Sequence, residues 1–214
     1  MISIYQLKPR FQNLLRPSVQ RLYNRGVTAN QVTLSACIVS LLISGLVAVF
    51  SEHLWVFALI PLWMIARMAL NAIDGMLARE FGQQSRLGAY LNELTDVIAD
   101  SALFLPFALI PDVSLGLVLV VTLGAIISEY AGVLGPMIGA SRRYDGPMGK
   151  SDRAFVFGVI GAGVAVGWLS ALWINIILAV VSALLVYTLV NRVRRGLAEV
   201  AASSPEDVVN NSQA

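Results

Sequence analysis

The chain has 214 residues, of which 57% are hydrophobic and 13% charged, with a formal net charge of +2. Soluble domains carry about 25% charged residues, so this composition, with a mean hydropathy of +0.73, excludes an ordinary soluble domain and gives no basic surface for a nucleic-acid partner. It predicts one compact polytopic membrane domain. The single cysteine, Cys37, rules out an intramolecular disulfide and a cysteine-rich metal site.

In chain order, residues 1–30 alternate basic and apolar positions, with Ile4, Leu7, Phe11, Leu14, Leu15, Val19 and Leu22 set against Lys8, Arg16 and Arg21. That pattern predicts an amphipathic segment lying in the membrane interface and held to anionic lipid, broken near Pro9 and Pro17. A bilayer span needs about 20 mostly apolar residues. Six such stretches follow, at 32–50, 54–78, 89–110, 113–135, 154–169 and 171–190. The last two are joined tightly around Trp168 and read as a hairpin. His53 falls in a short loop and is given no chemical role. Residues 196–214 are polar and are expected to be a disordered tail. The fold class expected is therefore an all-α membrane protein. Its parts are an interfacial segment (1–30), a six-helix transmembrane domain (31–195) and the tail (196–214).

Lys and Arg fall on one side of this topology. Arg79 and Arg86 lie between spans two and three, Arg142, Arg143, Lys150 and Arg153 between four and five, and Arg192, Arg194 and Arg195 after six. The loops around Glu52, Asp112 and Trp168 have none. The positive-inside rule then sets both termini in the cytoplasm of a multi-pass protein.

Ionisable groups inside spans are expensive and mark function by default. In span two, Arg67, Asn71, Asp74 and Ala78 are separated by four, three and four residues, which puts them on one helical face. In span three, Gly88, Asn92, Asp96 and Asp100 recur every fourth residue, and Asn92 to Asp100 covers about 12 Å of helix. A short loop joins these antiparallel neighbours, so the stripes can face each other. Carboxylate and amide oxygens in that arrangement suit Mg²⁺ or Mn²⁺, which shares its coordination with substrate phosphate. Gly75 and Gly88 remove side chains where another group must come close. A helix-pinning hydrogen-bond network is the plainer alternative.

The stretch N-A-I-D-G-M-L-A-R (Asn71 to Arg79), eight residues, then G-A-Y-L-N-E-L-T-D (Gly88 to Asp96) resembles the signature of the CDP-alcohol phosphatidyltransferases, D-x-x-D-G-x-x-A-R, about eight residues, G-x-x-x-D-x-x-x-D. Every interval matches. "RGVTANQVT" (Arg25 to Thr33) is similar to the family's segment before its first span, with Ala29 where proline is usual, and "GPMGKSDRAF" (Gly146 to Phe155) to its segment entering span five. The resemblance covers about residues 7–195. It implies an integral membrane homodimer that transfers a phosphatidyl or related group from a CDP-linked lipid to an alcohol or phospho-alcohol and releases CMP, with divalent metal on the diphosphate. By the same resemblance, Asp96 matches the catalytic base, and Asp74 and Asp96 match metal ligands. Asn30, Thr33, Asp74, Gly75, Ala78, Arg79 and Gly88 match positions around the CDP group.

The chain departs from that signature at Asn71 and Asn92, which stand where the family has its first and third aspartates. Asparagine keeps a carbonyl oxygen and loses the charge, so the signature retains two carboxylates. Asp100, one turn deeper, would supply a third charge, while Glu93 points about 100° away. Glu129, in the fourth span, resembles a polar position at the acceptor end, with pairing to a base such as Arg67 as its alternative. Arg142, Lys150 and Arg153 are candidates to grip a phosphorylated acceptor. Two other classes compete: a non-catalytic member that binds CDP-lipid or nucleotide without turnover, and a small-solute transporter. Metal-dependent CMP release separates the first reading from both.

Overall fold

The computed structural model describes residues 4–202, and within them the chain is helical with no strand. Seven α-helices follow in order: α1 (Ile4–Asn24), α2 (Ala29–Val49), α3 (Leu59–Glu80), α4 (Arg86–Phe104), α5 (Leu115–Leu134), α6 (Lys150–Ala165) and α7 (Ala171–Ala202). Single 3₁₀ turns extend three of them: Leu54–Ala58 before α3, Leu105–Leu109 after α4 and Gly135–Ile138 after α5.

Local chemistry explains the ends that matter for the site. Thr28 caps α2 with its hydroxyl on the Gln31 amide, and Gln31 reaches back to the Thr28 amide, a reciprocal capping box. Ser85 caps α4 by accepting from the Gly88 amide at 2.9 Å, which ends the tight α3–α4 turn and starts the helix at Arg86. Gln83 in that turn accepts from the Ala29 amide at 2.7 Å. The start of α2 and the α3–α4 turn are thereby fixed to one another.

The core has two parts. The larger is apolar and centred on Phe57, Phe104, Phe107 and Phe157, with Phe104 and Phe157 stacked at 3.8 Å between ring centroids. α2 packs on α3 and α4, α3 on α6, and α5 on α7 and α4. The glycines of α6 let it approach closely. A Cβ on Gly161 would lie 3.0 Å from the Phe57 carbonyl oxygen. The smaller cluster (Val19, Ala29, Val32, Ile73, Met76 and Leu77) docks α1 onto the ends of α2 and α3.

Two sequence expectations change here. α1 runs unbroken through Pro9 and Pro17; its docking by Val19 and the Arg16–Glu80 ion pair at 2.6 Å offset the amide each proline removes. Second, α7 continues to Ala202, so residues 196–202 are helical, and the remainder of the expected tail lies outside the described residues. Among the described residues, four segments are long and apolar enough to span a bilayer: Ala29–Val49, Leu54–Glu80, Leu115–Ile138 and Ala171–Ala202. α6 has only 16 residues, and α4 carries Arg86, Glu93, Asp96 and Asp100. These two helices bring charge into the bundle, and the four apolar ones shield them with exposed Leu, Ile and Val faces.

Candidate active site

The start of α2, the end of α3 and the starts of α4 and α6 meet at one end of the bundle and enclose a cleft of about 1030 Å³. Asn30 and Thr33 enter it from α2, Asn71, Asp74, Gly75, Ala78 and Arg79 from α3, and Gly88, Asn92 and Asp96 from α4. The two helical stripes read from spacing thus face one space. The glycines make room for particular neighbours. A Cβ on Gly75 would lie 2.7 Å from Arg79 Nη2, and one on Gly88 would lie 2.8 Å from Asn30 Oδ1.

A smaller chamber of about 410 Å³ adjoins the first. Asn92, Asp96, Tyr144 and Lys150 belong to both walls. Glu129 of α5, Arg142 of the α5–α6 loop and Arg192 of α7 line only the second. Asp96 therefore stands on the boundary, reachable from either side.

The carboxylates differ in their partners. Asp74, buried, accepts from the Thr33 hydroxyl at 2.7 Å. Asp96 accepts from Arg67 at 3.1 Å on Oδ1 and pairs with Lys150 on Oδ2. Asp100 lies deeper, off both walls, with Oδ1 held by Arg67 at 2.5 Å and Oδ2 by Arg153 at 3.3 Å. The expectation that Asp100 supplies a third metal-ligand charge is corrected by that geometry. One turn of helix beyond Asp96 carries it past the cleft and into an arginine pair.

Glu129 is tied to Arg153 at 3.0 Å, Arg192 at 3.4 Å and Arg142 at 3.8 Å, and its expected partner Arg67 bonds to the α4 aspartates instead. Arg153, 1% exposed, reaches neither chamber and donates also to the Met148 carbonyl at 3.1 Å. It braces Glu129 and Asp100, which corrects its reading as an acceptor contact. Arg142 pairs closely with Glu93, which also lines the larger cleft. Sequence reasoning passed over Arg192, counted only among the basic residues after the last span. Yet Thr188, Arg192 and Gly196 recur every fourth residue on α7 and all are buried, a stripe that separates Arg192 from its exposed neighbours Arg194 and Arg195. Tyr144, stacked under Arg142 at 4.6 Å, had no signal in the sequence.

For a divalent cation the donor set is all oxygen: the carboxylates of Asp74 and Asp96 and the amides of Asn71 and Asn92, on one wall. Among the described residues no three His, Cys, Asp or Glu side chains gather as a metal set. Two carboxylates and two amide oxygens still fit a hard cation that takes further oxygens from a phosphate ligand, and Lys150 on Asp96 shows that this carboxylate accepts a positive charge.

The site is thus a polar cleft with two carboxylates, Asp74 and Asp96, at one end of an all-α bundle with membrane-spanning helices. Residues 26–188 match the CDP-alcohol phosphatidyltransferase family, and the chain belongs to that family and is an enzyme of that type. It is 47% identical over 195 residues to the inner membrane protein YnbA of Escherichia coli strain K12, covering 90% of this chain and 96% of that one. It is 34% identical over 101 residues to the phosphatidylinositol phosphate synthase of Streptomyces avermitilis, covering 46% of this chain and 39% of that one. The fold is that of the Mycobacterium tuberculosis phosphatidylinositol phosphate synthase solved with CDP-DAG bound. That match has a TM-score of 0.67 at 22% identity, over 88% of this chain and 94% of the other. The same mycobacterial enzyme has been solved in complex with manganese and citrate.

Proposed function

We propose that this protein transfers a phosphatidyl or related group from a CDP-linked lipid, such as CDP-diacylglycerol, to the hydroxyl of an alcohol or phospho-alcohol, releasing CMP. The observation that carries this reading is the position of Asp96 between a large chamber edged by the family signature and a smaller chamber rich in charged side chains. The larger chamber suits the CDP-lipid. Asn30, Thr33, Gly75, Ala78, Arg79 and Gly88 supply polar groups and close backbone there, and the apolar faces of α2 and α3 stand beside it for the acyl chains. CDP-DAG in the mycobacterial relative supports that use.

The acceptor hydroxyl in the smaller chamber would give its proton to Asp96 as its oxygen forms a bond to the lipid-side phosphorus of the diphosphate. The bond from that phosphorus to the oxygen of CMP breaks, and CMP leaves with the electron pair. Lys150, paired with Asp96 and exposed to both chambers, would orient the carboxylate and steady negative charge on the transferring phosphate. Asp74, Asp96, Asn71 and Asn92 would hold Mg²⁺ or Mn²⁺, whose charge neutralises the diphosphate and the departing CMP. The manganese in the mycobacterial enzyme supports a divalent cation. Arg142, Arg192, Lys150 and Glu129 would contact the acceptor.

The same reading takes α2 to α7 as six crossings, both termini and the cleft on the cytoplasmic side, α1 in the interface, and a homodimer in the bacterial inner membrane. The basic residues at the cleft end and the name of the Escherichia coli relative support it.

The test incubates purified protein with CDP-diacylglycerol, Mg²⁺ and a panel of alcohols and phospho-alcohols, and identifies lipid products by mass. One acceptor should yield a new phospholipid with equimolar CMP. Binding of CDP-diacylglycerol with no product from any acceptor would favour a non-catalytic role.

A further inference from the structure

The end of α7, beyond the apolar part of that helix, reaches the loop that roofs the smaller chamber. Glu199 accepts from the Ser141 amide at 2.9 Å on Oε1 and from the Ser141 hydroxyl at 2.9 Å on Oε2, and Oε2 also pairs with Arg143. About two and three turns below, Arg192 donates to the Asp145 carbonyl at 3.3 Å, and Thr188 accepts from the Met148 amide at 3.1 Å. Gly146, at φ 120, passes so close that a Cβ there would lie 2.6 Å from Thr188 Cγ2. One face of α7 thus holds the backbone of the loop at Ser141, Asp145, Gly146 and Met148. Between the first two of these lie Arg142 and Tyr144, the side chains the loop contributes to the chamber.

We propose that Glu199 is a positioning residue for the acceptor: it fixes Ser141 and Arg143, and so sets where Arg142 and Tyr144 stand in the smaller chamber. The proposal rests on the reading of that chamber as the acceptor site. Glu199 touches neither chamber itself. A partly exposed ion pair such as Glu199–Arg143 is weak alone, but here the carboxylate also takes the Ser141 amide, while α5 holds the neighbouring Arg143 amide through the Gly132 carbonyl at 3.1 Å. Charge-assisted bonds of that kind are the stronger ones. Without them the loop keeps its attachments through Gly132, Thr188 and Arg192 and loses the one at Ser141, so the placement of Arg142 is left to its own pairs with Glu93 and Glu129.

The experiment compares the full-length protein with Glu199→Ala and Glu199→Gln, by steady-state kinetics and by tryptic cleavage after Arg142 and Arg143. The position is half-exposed near a helix end, outside the apolar core, and alanine is a strong helix former, so the fold persists. Glu199→Ala should raise the acceptor KM about three- to tenfold with the donor KM unchanged, and should speed cleavage of the loop. Glu199→Gln, which keeps an oxygen for the Ser141 amide, should fall between. Unchanged acceptor KM, or donor and acceptor KM rising together, would overturn the proposal. If the wild-type protein turns over no acceptor, the functional reading fails and cleavage alone decides the latch: faster cleavage in Glu199→Ala upholds it and equal cleavage overturns it.

Discussion

The two chambers share a wall but are built differently. The larger draws most of its chemistry from two consecutive helices and the turn between them, residues 71–96, with Asn30 and Thr33 of α2 and Lys150 of α6 beside them, and its chief carboxylate, Asp74, is held by one hydroxyl from Thr33. The smaller draws on α4, α5, the α5–α6 loop, α6 and α7, and its charges are tied to one another and to a buried network behind them: Glu129 with Arg153, Arg192 and Arg142, and Asp96 with Lys150 and Arg67, which with Arg153 also holds Asp100. One region keeps its oxygens facing a cleft, as a cation and a diphosphate require. The other uses ion pairs to hold helices in register and so gives shape to a pocket. Buried ion pairs of this kind add little net stability over apolar packing, but losing one partner strands the other.

The largest expected effect breaks the first region. Asp74→Asn or Asp96→Asn should lower turnover by about 10²–10⁴-fold while thermal unfolding in detergent stays close to wild type for Asp74→Asn. Turnover within a few-fold of wild type in either variant would contradict the assignment. The second effect breaks the other region. Arg153→Met should destabilise the protein by about 3 kcal/mol, because Asp100 and Glu129 lose a shared guanidinium that is 1% exposed. A thermal unfolding midpoint equal to wild type would show that the network does not brace the bundle.

A smaller effect sharpens the contrast. Asn71→Asp combined with Asn92→Asp adds two charges to the open wall and should raise Mg²⁺ affinity about tenfold or more. Calorimetry on substrate-free protein checks this, and two tight Mg²⁺ ions already bound to the wild-type protein would refute the count of charges behind it. The smallest effect lies outside both chambers: Arg16→Ala, which removes the exposed pair with Glu80, should change stability by no more than about 1 kcal/mol. A larger loss in denaturant titration would mean that α1 is held by charge more than by Val19 and its neighbours.

The difference between the chambers also explains what the sequence disclosed. Asn71, Asp74, Asn92 and Asp96 are near neighbours along the chain, and helical spacing alone aligns them. The smaller chamber depends on contacts such as Arg192 with Glu129, far apart in sequence, which no local period encodes. Asp100 shows the limit within a single helix: spacing fixed its face, but its depth, one turn past the cleft, was decided by Arg67 and Arg153. Glu129 carried a signal of function without a signal of partner. At the ends, α7 outlasts its apolar run because Arg192 and Glu199 find partners in the loop, and composition alone reads those residues as a tail. Where α4 and α6 fall short of an apolar span, their charges line the chambers (Glu93, Asp96, Lys150) or brace their walls (Asp100, Arg153).

The most direct test of the central claim is CMP formation from CDP-diacylglycerol measured across a Mg²⁺ titration, in the presence of the acceptor that yields product, for the wild-type protein and for Asp74→Asn. The wild-type rate should rise with Mg²⁺, vanish with EDTA and return on adding metal, and the Asp74→Asn rate should stay near the background at every concentration. CMP released equally fast with EDTA, or equally fast by the variant, would contradict the claim that this wall of oxygens is where the diphosphate is cleaved.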